Sequence, residues 1–369
     1  MEVMALNGLF GGAYAGRRVL VTGHTGFKGS WLAYWLHSMG ATVAGLGLDP
    51  DTTPSHWLAL GLGEVSDIRV DLRDQAAVRA IFERHKPEII FHLAAQPLVR
   101  RSYHEPADTF DINVMGLLNV LEAVRSCPSV RVIVNATTDK VYEDRLGHES
   151  GYLETDALGG HDPYSSSKVC AEVVSECYRK SYFSDDDGRG HAVRLATARA
   201  GNVIGGGDWA EDRLVPDLVR ANLSGNPLAI RNPAAIRPWQ HVLEPLSGYL
   251  HLGQALLSQG TFEGAWNFGP GRGGELAVSV LASQLARHLP ALRVSETFEK
   301  HPHEAAVLRL NCDKANRELS WRPVWSIDTT LARTGAWYRA FQEEGQVRTA
   351  MDLAAYVSDA RQAALAWAP

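Results

Sequence analysis

Short apolar runs alternate with amphipathic stretches along the first 135 residues of the chain. The runs are rich in β-branched residues and predict buried strands at residues 18–22, 41–48, 65–70, 87–93 and 130–135. The stretches between them predict helices at residues 30–39, 75–84 and 113–125. This alternation favours an α/β fold with a doubly wound parallel sheet.

The alternation weakens after residue 204. Gly, Pro, Trp and Arg cluster between residues 205 and 245, which is typical of a loop-rich lobe near the C-terminal ends of the strands. We therefore predict that residues 1–204 mainly form a Rossmann-type nucleotide-binding domain. Residues 205–369 would mainly form a smaller, loop-rich C-terminal substrate lobe, with some chain returning to the first domain.

A glycine-rich loop, Gly23-x-x-Gly26-x-x-Gly29, follows the first predicted strand and opens the first helix. Such glycines let the backbone approach a pyrophosphate, which the helix N-terminus stabilises. Asp49 ends the second strand, where a carboxylate would bind the ribose hydroxyls and repel a 2′-phosphate. The pattern predicts NAD rather than NADP. Asp71 ends the third strand and is either an adenine-edge contact or a helix N-cap.

Lys28 lies inside the glycine loop, at the start of the predicted helix. The helix dipole disfavours a cation at this end of a helix. Because an exposed lysine would gain nothing there, we interpret Lys28 as a ligand for a phosphate.

Two further groups of polar residues indicate acid–base chemistry. Tyr164 and Lys168 are four residues apart on one face of a predicted helix, where the cation would lower the pKa of the phenol. Thr138, Asp139 and Lys140 follow a strand end, where ligands bind in doubly wound sheets. A hydroxyl, an acid and an amine could thus enter one cleft.

The formal net charge of −6 excludes a general basic field that would attract nucleic acid or an acidic membrane. An anionic ligand would need a local basic site. Arginines suit a diphosphate because of their planar donor fork, and some would pair with carboxylates such as Asp212 or Glu244. The candidate residues are Asn202, just before the loop-rich stretch, and within it Arg213, Arg231, Arg237, Trp239 and His241.

Metal and membrane functions find little support in the sequence. The four cysteines form no CxxC pair and the histidines show no ligand spacing, so we predict no metal site. No apolar stretch reaches the length of a bilayer span, and the apolar N-terminal segment lacks the basic region of a signal peptide. We interpret that segment as a leader before the first strand and expect a cytoplasmic protein.

At these residues the chain resembles the extended short-chain dehydrogenase/reductases that modify nucleotide sugars, and most narrowly the family of CDP-glucose 4,6-dehydratases. The resemblance covers nearly the whole chain. Its segments are VTGHTGFKGSWL (21–32), FHLAAQPLVRRSY (91–103), TDKVYE (138–143), DPYSSSK (162–168), RAGNVIGGGDWAEDRLVPD (199–217), IRPWQHVLEPLSGYL (236–250), WNFGP (266–270) and HPHEA (301–305).

The resemblance implies a redox-neutral dehydration of CDP-glucose. Tyr164, helped by Lys168, would remove the 4-hydroxyl proton while C4 gives its hydride to NAD. Lys140 would then remove the C5 proton, Asp139 would protonate the departing 6-hydroxyl, and the hydride would return to C6. The product would be CDP-4-keto-6-deoxyglucose.

The resemblance also implies a homodimer formed through two helices of each subunit, one of them following Tyr164. Beyond the residues already given, it adds cofactor contacts from Thr25, Phe27, Leu72, Ala94, Ala95, Gln96, Asn113, Thr137, Tyr164 and Lys168. It adds substrate contacts from Gln96, Arg100, Leu214 and His303, and it includes Thr138 among the catalytic residues.

Two departures bear on selectivity. The loop after Tyr142 lacks the tryptophan-rich run expected there, and Thr137 replaces a usual serine. A dehydratase for another nucleotide sugar, an NAD-dependent epimerase and a non-catalytic NAD-binding sensor stay open as alternatives. Asp139 and Lys140 either undergo large pKa shifts in a desolvated cleft or form an ion pair that relays protons.

Overall fold

The computed structural model describes residues 6–144, 150–183, 192–258, 260–296 and 307–369. Its strands are β1 Arg18–Thr22, β2 Thr42–Gly47, β3 Ser66–Arg69, β4 Ile89–His92, β5 Val132–Ala136, β6 Arg194–Ala200, β7 Val203–Ile204, β8 Leu228–Ile230, β9 Ile236–Pro238, β10 Gln240–His241, β11 Gly264–Phe268, β12 Glu275–Ala277 and β13 Val294–Glu296. Its helices are α1 Phe27–Ser38, α2 His56–Leu60, α3 Gln75–His85, α4 Val99–His104, α5 Pro106–Phe110, α6 Gly116–Arg125, α7 Pro163–Ser181, α8 Leu214–Ser224, α9 Leu243–Ser258, α10 Val278–Ala286, α11 Asp313–Leu319, α12 Ile327–Glu344 and α13 Thr349–Gln362.

Seven strands form one parallel sheet in the order β3-β2-β1-β4-β5-β6-β11. The order reverses between β1 and β4, and both strands pair in parallel register, with Val19 opposite Ile89. Alternate side chains point to opposite faces: Val19 and Val21 enter one apolar cluster, and Leu20 enters the other. The structure confirms the predicted doubly wound Rossmann-type sheet.

Most predicted ends of helices and strands lie within three residues of the observed ends. The clearest difference is α8, which forms inside the stretch that the sequence analysis took to be loop-rich. Its Val215, Leu218 and Val219 are buried at helical spacing, so an amphipathic signal was present but short. The predicted helix at 113–125 begins as a π-helical turn over Asp111–Met115.

The second half of the chain contributes to the same sheet as the first. The edge strand β11 pairs in parallel with β6, and α9 packs against β5 and β6. The remaining strands pair in twos near the C-terminal ends of the sheet, as β7 with β10, β9 with β12 and β8 with β13. The division of the chain at residue 204 stays a prediction.

The segment before β1, interpreted from the sequence as a leader, enters the apolar core through Leu6, Leu9, Phe10 and Tyr14. Phe10 stacks on Trp367 with a ring separation of 5.0 Å, and the Tyr14 hydroxyl donates to the Leu250 carbonyl oxygen at 2.5 Å. Burial of these aromatic rings fixes the segment before β1. In the ranges described above, no helix combines the length and apolar character needed to cross a membrane.

A buried carboxylate anchors α9 to the C-terminal helices. Glu244 accepts hydrogen bonds from the backbone amides of Val324 and Trp325 at 2.9 and 2.7 Å, and from the Tyr356 hydroxyl at 2.7 Å. Burial nevertheless raises its pKa from 4.5 to about 7, because three donors do not replace full hydration.

A raised folded-state pKa makes ionisation of Glu244 costly, so this contribution to stability is lost as the pH rises from 4.5 to about 7. Glu244→Gln removes the titration. Relative to the parent, its free energy of unfolding should increase by about 1–3 kcal/mol over that interval. Urea unfolding at several pH values measures the difference. The exposed Glu318→Gln is the control, and parallel curves for Glu244→Gln and the parent would contradict the prediction.

Candidate active site

The glycine loop forms a tight turn between β1 and α1 that leaves no room for a side chain at Gly23 or Gly29. Gly23 has φ +74°, and a Cβ atom built there would lie 2.7 Å from the Ala94 backbone nitrogen. A Cβ atom on Gly29 would lie 2.0 Å from the Gly23 carbonyl oxygen. The first turn of α1 therefore opens directly at the switch in strand order, where its unpaired amides can bind an anion.

A cleft of about 1000 Å³ runs from this turn across the C-terminal ends of the strands. Most of the residues predicted from the sequence line it. They are Gly23, Thr25, Gly26, Phe27, Lys28, Gly29, Asp49, Asp71, Leu72, Ala94, Ala95, Gln96, Arg100, Thr137, Thr138, Asp139, Lys140, Tyr164, Lys168, Asn202, Arg213, Leu214, Arg231, Arg237 and Trp239.

Thr138, Asp139 and Lys140 form a short 3-10 turn just after β5. The Thr138 hydroxyl donates to Asp139 Oδ1 at 3.1 Å and accepts from the Lys140 amide at 3.3 Å. Asp139 is only 2% exposed, and its Oδ2 has no hydrogen-bond partner among the described residues. A buried, unpaired carboxyl oxygen is costly unless a ligand or proton satisfies it.

Tyr164 and Lys168 lie in the first turns of α7, which an Asp162 capping box begins. Burial raises the pKa of Tyr164 to about 12, while a hydrogen bond with Thr138 and the charge of Arg213 act in the opposite direction. The spacing of Tyr164 and Lys168 in the sequence predicts a lowered pKa for the phenol. The expectation is not met because loss of hydration outweighs these favourable contacts.

Lys168 is buried and donates to the Ala136 carbonyl oxygen at 3.2 Å. Burial lowers the pKa of its ammonium group to about 8, and the charge of Glu172 opposes that shift. Lys28 comes from α1, and its Nζ lies 3.5 Å from the Tyr249 hydroxyl. Burial, with repulsion from Arg213 and Lys168, lowers the Lys28 pKa to about 8. Lys28 thus belongs to the charged cluster around Lys168.

The two predicted nucleotide carboxylates lie at the opposite end of the cleft. The Asp49 side chain is 90% exposed, and Arg69 Nε from β3 lies 3.9 Å away. The linear sequence placed no arginine beside Asp49, whereas parallel pairing of β2 and β3 brings Arg69 there. Asp71 pairs with Arg73 at 2.6 Å, and the hydrogen bond from Arg73 lowers the Asp71 pKa.

Three cleft arginines pair with carboxylates, and Asp212 is a partner expected from the sequence, whereas Glu244 instead accepts from Val324, Trp325 and Tyr356. Asp212 accepts from Arg100 at 2.9 Å and from Arg231 at 2.8 Å, and so links groups from two parts of the chain. Arg213 donates to both carboxylate oxygens of Asp208 at 3.2 and 3.1 Å. These pairs keep the guanidinium groups oriented at the cleft wall.

Two predicted residues do not line the cleft, and a third lies outside the described residues. His241 is fully buried between Trp31 and Trp325, with ring separations of 5.9 and 4.8 Å, so aromatic packing removes it from ligand contact. Asn113 supports the cleft from behind, since its amide group bonds the Gln96 backbone and the Ser167 hydroxyl. His303 lies outside the described residues.

The polar groups behind the cleft were not predicted from the sequence. Glu172, one turn after Lys168, forms a buried ion pair with Arg199 at 2.9 Å. The spacing of four residues between Lys168 and Glu172 could have predicted that both side chains lie on one face of α7. The pairing of Glu172 with Arg199 could not be predicted in this way, because it depends on strand order. Among the described residues, no set of three His, Cys, Asp or Glu side chains is arranged to hold a metal ion.

Comparison with known proteins identifies the family. The model of the NAD dependent epimerase/dehydratase family matches residues 19–267. This chain belongs to that family. It is 46% identical over 332 residues to the CDP-glucose 4,6-dehydratase of Salmonella typhimurium, covering 89% of this chain and 92% of that enzyme. The dTDP-glucose 4,6-dehydratase of Xanthomonas campestris is 25% identical over 86% of this chain and 92% of its own length.

A solved member with the same fold is the UDP-glucose 4-epimerase of Thermus thermophilus, in complex with NAD. It superposes with a TM-score of 0.74 and 26% identity, covering 87% of this chain and 99% of that one. The site of the present chain fits the dinucleotide of an NAD-dependent family, because its turn is so tight that a Cβ atom on Gly23 or Gly29 would collide with backbone atoms.

Gly29→Ala should raise the Kd for NAD roughly 100-fold or more, equivalent to about 3 kcal/mol. The added methyl group would collide with the Gly23 backbone and displace the start of α1. Equilibrium dialysis of NAD measures the effect. Gly63→Ala is the matched control because an added Cβ meets no atom within 4 Å. Equal affinities of the two variants would show that the turn does not hold the cofactor.

Proposed function

We propose that this family member is a nucleotide-sugar 4,6-dehydratase that converts CDP-glucose to CDP-4-keto-6-deoxyglucose. The observation that carries the reaction type is the position of Asp139 and Lys140 in the same cleft as Tyr164 and Lys168. An epimerase needs the tyrosine and its lysine but no acid and base for elimination across C5 and C6. The 46% identity to a CDP-glucose 4,6-dehydratase supports the choice of substrate.

The glycine turn, Lys28 and the carboxylates Asp49 and Asp71 would hold the NAD diphosphate and adenosine. When bound, NAD supplies redox chemistry, taking a hydride from the sugar and giving it back at another carbon. The chain must therefore provide the proton transfers, the orientation of the sugar and the exclusion of water.

Tyr164 would take the proton of the sugar 4-hydroxyl while C4 is oxidised. The phenol needs help, because burial raises its pKa to about 12. The hydrogen bond with Thr138 and the positive charge of Arg213 oppose this rise and would stabilise the phenolate that forms. Lys168, one turn further along α7, would add a positive charge.

Oxidation at C4 makes the C5 proton acidic. Lys140 would remove this proton, and Asp139 would protonate the 6-hydroxyl, which leaves as water. The unpartnered Oδ2 of buried Asp139 supports this role, since a protonated carboxyl group could donate from it. Reduction at C6 then completes a reaction with no net change in redox state.

The proposal is tested with purified protein, supplied with NAD and with CDP-, dTDP-, UDP- or GDP-glucose in separate reactions. NMR should show a 4-keto-6-deoxy sugar from CDP-glucose. Product only from another nucleotide would retain the reaction and overturn the CDP assignment. Inversion at C4 without loss of the 6-hydroxyl would identify an epimerase, and no reaction with NAD bound would favour a sensor.

Asp139→Asn should lower kcat for the 6-deoxy product by roughly 100- to 10,000-fold, because an amide cannot protonate the leaving hydroxyl. Bound NAD and the free energy of unfolding should change little, since the two side chains have the same shape. Product formation is followed by NMR, with the exposed Asp328→Asn as control. Dehydration at the parent rate would refute the role of Asp139.

We further infer that the enzyme is a homodimer joined through α6 and α7. Val173 on α7 is 60% exposed and Met115, just before α6, is 46% exposed, while Val169 and Val174 pack into apolar clusters. Exposed apolar side chains on neighbouring helices suit a two-fold interface. A cytoplasmic location goes with this proposal and is supported by four cysteines that form no disulfide.

Val173→Glu should raise the dimer dissociation constant at least roughly 100-fold, because it buries an unpaired charge in the interface. Sedimentation velocity over a range of concentrations measures the mass. Leu223→Glu on α8, where the side chain is 55% exposed, is the control and should leave the mass unchanged. A dimer of parent stability in Val173→Glu would place the interface elsewhere.

A further inference from the structure

A buried carboxylate lies directly behind the cleft, one helical turn after Lys168. Glu172 is 5% exposed. It accepts hydrogen bonds from the hydroxyls of Thr137 and Thr197 at 2.6 and 2.7 Å, and from Arg199 Nε and Nη2 at 2.9 and 3.0 Å. Four donors thus converge on its two oxygens, which leaves the carboxylate fixed in position and direction.

Arg199 extends the hydrogen-bond network from Glu172 to Tyr142 and Glu154. Its Nη1 donates to the Tyr142 hydroxyl at 2.9 Å and to the Glu154 carbonyl oxygen at 3.1 Å. The Tyr142 hydroxyl in turn donates to Asn267 Oδ1 at 2.7 Å. The strands β5, β6 and β11 and the segment around Tyr142 therefore share one set of hydrogen bonds with α7.

The contacts of α7 with the end of β5 determine the geometry of the cleft. Glu172 holds Thr137, the residue before Thr138, and Lys168 holds the Ala136 carbonyl oxygen at 3.2 Å. Thr138, Asp139 and Lys140 follow within one short turn. The groups on the β5 loop and the groups on α7 come from separate parts of the chain, so their spacing depends on these two attachments.

We propose that Glu172 is a positioning residue for the dehydration: paired with Arg199, it fixes the Thr138–Lys140 turn relative to Tyr164 and Lys168. The inference rests on the proposed function. The acid, the base and the phenol must each reach the reacting atoms of one sugar. Small displacements of such groups lower the reaction rate by large factors.

If Glu172 and Arg199 served only to hold α7 on the sheet, apolar residues could replace them. Buried ion pairs are weak sources of stability, because the desolvation of both charges offsets their attraction. An apolar pair of similar volume would hold α7 on the sheet equally well. It could not accept from Thr137 or place a negative charge one turn from Lys168, and these two effects distinguish positioning from packing.

Electrostatics give a second measurable consequence. Burial lowers the pKa of Lys168 to about 8, and Glu172 acts against that shift. Among the described residues, Lys28 on α1 and His92 on β4 also interact electrostatically with Lys168. Lys28 repels the Lys168 charge, so Glu172 is the group that keeps Lys168 protonated toward higher pH.

The test compares Glu172→Gln with Glu176→Gln. Glu176 lies one turn further along α7 and pairs with Arg179 and Lys180 at the surface. For Glu172→Gln we expect kcat to fall roughly 10- to 100-fold, with KM and bound NAD nearly unchanged. The alkaline limb of its kcat profile should move to lower pH. Glu176→Gln should match the parent in all four.

Amide hydrogen exchange gives a readout that does not depend on turnover. Glu172→Gln should speed exchange at residues 137–142 while the rest of the sheet stays protected. Glu172→Asp keeps the charge and should restore the position of the alkaline limb. Unchanged exchange and an unchanged pH profile would overturn the positioning role, as would a loss of kcat fully accounted for by unfolding or lost NAD.

Failure of the proposed function would give a different result. If the parent makes no product from CDP-glucose, the function is wrong, and the positioning role is then judged by exchange at residues 137–142 and by any nucleotide sugar of the panel that reacts. If the parent is active and Glu172→Gln equals Glu176→Gln, the function stands and the positioning role falls.

Discussion

Strand order reverses between β1 and β4, and the cleft exists because of that reversal. The chain leaves β1 toward one side of the sheet and β4 toward the other, so the carboxyl ends of the two strands open a crevice. The glycine turn lies at its floor, and only glycine fits at position 29, because a Cβ atom there would lie 2.0 Å from the Gly23 carbonyl oxygen. The position of α1 follows from this turn.

Loss of hydration dominates the chemistry of the cleft. Burial is the largest cause of the pKa shifts of Tyr164, Lys168 and Lys28, raising the first and lowering the other two. Each charged form is therefore costly unless a neighbour compensates for the lost water. Glu172 provides such compensation at Lys168, and Arg213 provides it at Tyr164 but adds to the cost of the charge on Lys28.

Arg100, Arg213 and Arg231 provide local positive charge at the cleft in a chain with a net charge of −6. A diphosphate needs concentrated positive charge, but unpaired arginines would repel one another. Asp212 and Asp208 hold three cleft guanidinium groups in fixed orientations through hydrogen bonds of 2.8 to 3.2 Å. The arrangement is organised before any ligand arrives, which lowers the entropy cost of binding.

Local patterns were sufficient for the sequence to determine the parallel sheet, the glycine turn and the Tyr164–Lys168 pair, because each depends on spacing within one strand or helix. The same holds for the Thr138–Lys140 turn, which directly follows a strand. The sequence could not place His241. Its position in the loop-rich stretch predicted a ligand contact, but its ring packs between Trp31 and Trp325 in the core. The sequence also does not predict that Arg69 lies beside Asp49, or that Glu172 pairs with Arg199. Each pair joins residues that are far apart in the chain. Tertiary structure alone decided these contacts, because they depend on strand order and on which charges folding removes from water.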